Sequence, residues 1–260
     1  MEHSGDSGGK PYSIRAVQRV CNILDLIQEK PEGFSLTQVA EVTQFPKSSA
    51  FRYLNTLESR RYVMRDPLSG LFRIGPAFLP LQSQQLTVLA DRIRPYLTQL
   101  RDQLEETLNL GILDGNCVSY VEIVESPHSV RLAARPGDRD PLHCTALGKA
   151  IACTIDPARV KTILDSEGMA QRTPATITSF QDYLEDLVTT HLRGYALDNC
   201  ENDVDGRCVA VALPDIGLPV AISLSAPAYR LAVDDVPKVA EALEQAARQL
   251  IKDITGESSS

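Results

Sequence analysis

The stretch KSSAFRYLNTLESRR, from Lys47 to Arg61, sorts its residues by chemistry on two sides of a helix. Ala50, Tyr53, Leu54 and Leu57 recur at helical spacing and form an apolar face that packs inward. Ser48, Ser49, Arg52, Asn55, Thr56 and Ser59 fall on the opposite face, with Lys47 at the N-terminal end. Hydroxyls, an amide and a guanidinium are the groups that reach base edges and phosphates when a helix lies in a major groove. Arg52 suits either a fork onto guanine or a clamp on a phosphate, and the sequence leaves both open.

A second set lies in the C-terminal half. Ser223 and Ser225 alternate with Ile222 and Leu224, so their hydroxyls leave the same side of a strand. Thr145 suits a helix N-cap, and the small residues of Ala146-Leu147-Gly148 leave backbone N–H groups free for an anion, aided by the helix dipole. Together they suit a carboxylate held by N–H groups and two hydroxyls. Plainer readings stand beside this one. Ser223 and Ser225 also suit edge-strand hydroxyls, Thr145 a purely structural cap, and Cys208 a small core residue. Lys149 is expected to snorkel, with its charge in solvent. His143 next to Cys144 suggests a metal, but no second pair stands at ligand spacing, so no metal or cofactor is expected. His143, Cys144, Asp198 and Cys208 leave a Cys/His nucleophilic centre as an alternative, although neither a nucleophile elbow nor a Gly-rich phosphate loop accompanies them.

The elements that must position these residues follow from periodicity and breakers. Ile14, Val17, Val20, Leu24 and Ile27 predict an amphipathic helix over 14–28, ended by Pro31-Glu32-Gly33. Ser35 with Gln38 forms a capping-box pattern opening a second helix that buries Leu36, Val39 and Ala40. A turn at Thr43-Gln44-Phe45 leads through Pro46 into the polar-faced helix. Tyr62–Arg65 and Leu71–Ile74 read as strands around the turn residues Asp66-Pro67-Leu68-Ser69-Gly70. Helix, helix, turn, helix and hairpin make a winged helix-turn-helix, and a three-helix protein-interaction module that does not bind DNA is the alternative. Beyond it, a short linker helix is expected from Pro76 to Gln85 and a longer helix over 91–106, with Pro95 near its start. Strands are expected at 108–113, 118–124, 131–134, 207–213 and 220–225, with helices at about 145–154, 157–166, 180–193 and 234–253. The result is an α+β sandwich with a mostly antiparallel sheet.

Composition agrees with this division. The net charge of −8 is uneven: residues 1–80 hold ten Lys/Arg against eight Asp/Glu, while 81–260 hold 16 against 26. Six basic residues (Lys47, Arg52, Arg60, Arg61, Arg65, Arg73) against Glu58 and Asp66 make 47–73 locally basic, and phosphate binding follows local potential. No apolar run approaches the roughly 20 residues that cross a bilayer. The first twelve residues are polar and Gly/Ser-rich and read as a disordered arm rather than a secretory signal. Six scattered cysteines without a Cys-x-x-Cys pair fit reduced thiols in a cytoplasm.

In order along the chain, several segments resemble the IclR family of bacterial regulators. They are Arg15-Ala16-Val17, Leu36–Ala40, Phe45–Leu57 and Ser69–Gly75, then Gly137–Ala150, Arg193–Asp198, Gly206–Ala210 and Ile222–Ser225. The sequence departs from the family pattern at Gln44, where the turn usually has Gly, and around Cys200 and Asp205-Gly206, beside the pocket the family implies. The resemblance implies a GAF-like effector domain, with a disordered arm at 1–12, a winged helix-turn-helix at 13–75, a linker helix at 76–88 and an effector-binding domain at 89–256. It implies DNA contacts from Lys47, Ser48, Ser49, Phe51, Arg52, Tyr53, Asn55 and Thr56, with Arg73 in the wing. Ala146, Leu147, Asp198, Cys208, Ser223 and Ser225 match effector-lining positions, with Thr145 beside them. An anionic Asp198 favours a ligand hydroxyl over a second carboxylate. The expected partners are double-stranded operator DNA, a small carboxylate-bearing metabolite (a hydroxy-, keto-, aromatic or sugar acid) and a second copy of the chain, with pairing of dimers. A repressor of a catabolic operon is the expected role.

Overall fold

The computed structural model describes residues 14–29, 32–214 and 216–255, which divide into two compact units at Gln85/Leu86. The expected arm at 1–12 lies outside the described residues. In the first unit, α1 (Arg15–Glu29) buries Ile23, Leu26 and Ile27. α2 (Leu36–Thr43) starts at the expected capping box, Gln38 N–H donating to Ser35 Oγ at 3.2 Å and Ser35 N–H to Gln38 Oε1 at 2.9 Å. Gln44 ends it in the left-handed region (φ 56°), so the turn that commonly uses glycine is made by a side-chain-bearing residue. α3 (Lys47–Ser59) begins after Pro46, which takes the N-cap position, and buries Ala50, Leu54 and Leu57 against α1 and α2. β1 (Val63–Arg65) and β2 (Phe72–Ile74) pair antiparallel, with Asp66 Oδ1 accepting from the backbone of Leu68 and Ser69 to close the turn.

The second unit is built on a six-stranded antiparallel sheet. Its strands are β3 (Thr107–Asp114), β4 (Cys117–Val124), β5 (Arg139–Asp140), β6 (Ala196–Asn199), β7 (Gly206–Ala212) and β8 (Val220–Pro227), in the order β5-β4-β3-β8-β7-β6. The side-chain period of two separates its faces. Val220, Ile222, Leu224 and Ala226 of β8 enter one core with Leu89, Ile93, Leu97 and Leu100 of α4 (Leu79–Leu104) and Val239, Leu243 and Leu250 of α8 (Val236–Thr255). Ala221, Ala210 and Ala196 enter a second core with α5 (Ala146–Ala152), α6 (Pro157–Glu167) and α7 (Phe180–Arg193).

Four expectations change. The linker helix and the longer helix are one: after a 3-10 turn at Pro76–Phe78, α4 runs without a break to Leu104, with Pro95 inside it. An internal proline costs about 3 kcal/mol. Keeping the turns on both sides helical buries Leu89, Ile93, Leu97 and Leu100, at roughly 1.5–3 kcal/mol each, and outweighs it. No strand forms at 131–134; the free edge of β4 is taken by β5 instead, through Val118↔Asp140 and Ser119↔Arg139. Ser223 and Ser225 are not edge-strand hydroxyls, because β8 lies between β3 and β7 and is buried throughout. Lys149 does not snorkel: its side chain is 0% exposed, and its ammonium is held by an interior carboxylate. Its charge is met inside the protein, so it does not need solvent.

Candidate functional site

In the first unit, the polar face of α3 is free. Lys47, Ser48, Arg52, Asn55, Thr56 and Ser59 are exposed and Ser49 is half-buried. The hydroxyls of Thr56 and Ser59 donate to the helix's own carbonyls, Arg52 O and Thr56 O, both at 2.8 Å, which turns their lone pairs outward as acceptors. Phe51 is also exposed, while Tyr53 is half-buried beside Phe45, with ring centroids 6.1 Å apart. Tyr53 thus divides its surface between the core and a groove that it lines with Arg19, Ser49, Arg52 and Thr56. Arg19 is a basic residue that the helical pattern of α1 did not single out. Its guanidinium stacks 4.9 Å from the Phe45 ring, which places a cation beside the α3 face. In the wing, Arg73 donates to Glu32 O at 3.1 Å and lies 3.9 Å from Asp66, so its guanidinium is partly occupied by its own unit.

In the second unit, sheet register assembles the other site. Directly opposed residues of antiparallel strands share a face. Asp198↔Cys208, Cys208↔Ser225 and Thr107↔Ser225 therefore form one row across β6, β7, β8 and β3, and Ala196, Ala210, Ser223 and Asn109 form the next. The third row, Ala212, Ala221 and Gly111, is small so that α5 can lie on the sheet: a Cβ on Gly111 would stand 2.8 Å from Leu147 Cδ1. Past the end of α5 the same face opens into a cavity of about 320 Å³, whose lining includes Asn109, Tyr120, Arg131, Asp140, Asp198, Asn202, Asp203, Cys208 and Ser225.

Of the residues expected there, Asp198, Cys208 and Ser225 line the cavity. Ser223 adjoins it through Asn109, whose Nδ2 donates to Ser223 Oγ at 3.1 Å and to Ser225 Oγ at 3.0 Å. Thr145, Ala146 and Leu147 stand outside its wall. Thr145 caps α5 by accepting from Gly148 N–H at 3.0 Å, Ala146 is buried in the core, and the Leu147 side chain rests on Gly111. Sequence reasoning missed Asn109, Tyr120 and Arg131, which come from strands or loops read only as scaffold. Asn109, a polar residue inside the apolar run of β3, was the signal available.

Electrostatics separate the roles. Burial pushes the Asp198 carboxyl up to about 7, against the opposing pull of the Glu201 N–H, which donates at 2.7 Å, and the Asn202 N–H. Burial likewise raises the Cys208 thiol and takes Cys144 up to about 12, and His143 is held below its usual value by burial, with Nε2 on Ala170 O at 3.1 Å. Protonated thiols and an imidazole occupied by a carbonyl do not make an activated nucleophile. Tyr120 donates to Asp140 Oδ2 at 2.9 Å, and burial raises its phenol. Arg131 is the cation of the lining; its Nη2 donates to Glu125 at 2.8 Å, while its Nε is buried with no hydrogen-bond partner.

Comparison with known proteins agrees with both halves. The profile described as the IclR helix-turn-helix domain matches residues 16–67, and that described as the bacterial transcriptional regulator IclR C-terminal matches residues 82–252. The HTH-type transcriptional regulator BhcR of Paracoccus denitrificans is 34% identical over 249 residues, covering 94% of this chain and 88% of the relative. The crystal structure of the Thermotoga maritima IclR superposes with a TM-score of 0.62 at 25% identity, covering 93% of this chain and 99% of that one. An IclR homologue from Microbacterium hydrocarbonoxydans, solved in complex with 4-hydroxybenzoate, superposes with a TM-score of 0.61 at 20% identity over 92% of this chain and 99% of that one. The exposed polar face of α3, the cavity on the sheet and these matches agree: the chain belongs to the IclR family of bacterial transcriptional regulators, which act on transcription and are not enzymes.

Proposed function

We propose that the chain acts in the cytoplasm as a homodimer that sets two copies of α3 into successive major grooves of a near-palindromic operator, represses a catabolic operon, and is controlled by a small acid in the cavity of the second unit. Pairing of two dimers is part of the reading. A free face of hydroxyls, amide and guanidinium on a helix that buries Ala50, Leu54 and Leu57 on its other side is the observation that carries it. Lys47, Ser48, Ser49, Phe51, Arg52, Tyr53, Asn55 and Thr56 make the contacts, with Arg19 and Arg73 supplying charge near phosphate. Repression is the simplest outcome, since a seated dimer covers the site it reads.

The effector is a carboxylate-bearing metabolite rich in hydroxyls, of the hydroxy- or sugar-acid kind. Arg131, with its unpartnered Nε, suits the carboxylate, and it supports that contact better than the N-terminus of α5, where Thr145 already takes one N–H. Asp140, Asp198 and Asp203 call for ligand donors, and the Ser225 hydroxyl and Asn109 amide add neutral partners. A 4-hydroxybenzoate complex of a structural relative is consistent with a carboxylate plus a hydroxyl. The ligand binds one of two arrangements of the dimer better and so changes operator affinity by the difference. A thermal-shift screen of hydroxy, keto, aromatic and sugar acids, followed by operator titration with each hit, tests this. An acid that stabilises the protein and changes operator affinity is the expected result; acids that bind without changing operator affinity would refute the coupling.

A further inference from the structure

The cavity wall has a second layer that neither the motifs nor the effector contacts account for. Lys149 of α5 is completely buried, and its Nζ donates to Glu201 Oε1 at 2.6 Å and to Leu197 O at 3.1 Å, with Asp186 Oδ2 of α7 3.0 Å away. Glu201 has little other anchorage: Oε1 also meets Asn199 N–H at 3.5 Å, and Oε2 is buried with no partner. The loop that carries Glu201 passes through a left-handed Cys200 (φ 62°), a conformation side-chain-bearing residues hold only when their surroundings enforce it. From its other side the loop is gripped by Thr173 Oγ1 on Cys200 O at 2.7 Å and Thr176 Oγ1 on Glu201 O at 2.6 Å. Its outward products are the two N–H groups on Asp198 Oδ1 and the side chains of Asn202 and Asp203 in the cavity wall.

We propose that Lys149, acting through Glu201, is the positioning residue of the cavity: it fixes the 199–203 loop so that two backbone N–H groups hold the Asp198 carboxylate in one orientation and present Asn202 and Asp203 to the ligand. A buried ion pair is a poor source of stability, because its desolvation offsets its attraction, and in some proteins it serves to specify geometry instead. The proposal rests on reading the cavity as the effector site. The titratable groups facing Asp198 are Tyr120 from β4, Cys208 from β7, Cys144 before α5, Lys149 from α5 and Glu201 on its own loop, with Asp140 and Asp203 in the same cavity wall.

Two substitutions separate position from charge. Glu201→Gln and Glu201→Met remove the same negative charge, but only glutamine keeps an acceptor for Lys149 Nζ, and in both Lys149 retains Asp186 and Leu197 O. In the full-length protein, the Asp198 carboxyl is titrated by infrared spectroscopy, its band assigned by its loss in Asp198→Asn. The expected result is a midpoint about one pH unit higher in Glu201→Met than in Glu201→Gln, because a released loop withdraws the N–H groups that favour the ionised form. Equal midpoints in two folded variants would overturn the proposal. Glu201→Ala makes the same comparison should the methionine variant not fold. No effector enters the measurement, so failure here leaves the acid-binding reading standing, and a cavity that binds no acid leaves a split in midpoints intact.

Discussion

Asp198 offers the sharpest physical test, because its environment works against its charge. It is 3% exposed, and burial raises its carboxyl from 3.8 to about 7 despite two backbone N–H groups. A carboxyl whose pKa is higher folded than unfolded binds its proton more tightly in the native state. Its contribution to stability is therefore complete below the unfolded value and is lost as pH rises through the folded one. Between about pH 6 and pH 8 this single group removes roughly 1.4 kcal/mol. That interval lies above the sequence pI of about 5.1, where precipitation would obscure unfolding. Asp198→Asn has nearly the same shape, retains an acceptor for Glu201 N–H and does not titrate. Glu201, also raised chiefly by burial, is common to both proteins and largely cancels in the difference. Denaturant unfolding of both proteins across the interval should show the asparagine variant gaining on the parent by roughly 1.4 kcal/mol as pH rises. A stability difference that stays constant across the interval would refute the burial argument.

Arg52→Ala should weaken operator binding by roughly 1–3 kcal/mol in a mobility-shift titration while leaving acid-induced thermal shifts unchanged. Ser223→Ala with Ser225→Ala should abolish most of the effector response, and should lower stability by roughly 1–3 kcal/mol because Asn109 Nδ2 loses both acceptors; operator binding without effector should persist. Gly111→Ala should cost roughly 1–3 kcal/mol in denaturant unfolding, since the added methyl meets Leu147 Cδ1 at 2.8 Å and Val118 Cγ1 at 3.0 Å and the Leu147 side chain must repack in a filled core.

Local signals were legible wherever one segment settles its own structure. The capping box at Ser35, the turn at Asp66 and the two faces of α3 need no distant partner, and all are found as read except that Tyr53 divides its surface between the core and a groove. The left-handed Gln44 was legible as a departure from glycine, and the helix simply accepts it. The cavity was legible in part. Asp198, Cys208 and Ser225 stand in motifs, but Asn109 joins them through its register with distant Ser223, and Tyr120 and Arg131 through the hairpin and loop that bring β4 and the following segment to the same cavity. Lys149 failed for the same reason: a lysine on a short helix looks solvent-bound until α7 and the loop after β6 pack against it and supply its counter-charges, Asp186 and Glu201. The merging of two expected helices into α4 depended on apolar burial on either side of Pro95, which local proline rules do not weigh.

The sheet floor keeps two regions apart by two same-face repeats of the pleat. The row that lines the cavity (Asp198, Cys208, Ser225) and the row of small residues under α5 (Ala212, Ala221, Gly111) lie on the same face, separated by the row of Ala196, Ala210 and Ser223. Exchanges in the first row reshape the lining of the cavity, while the alanines and glycine of the third row keep α5 in its seat.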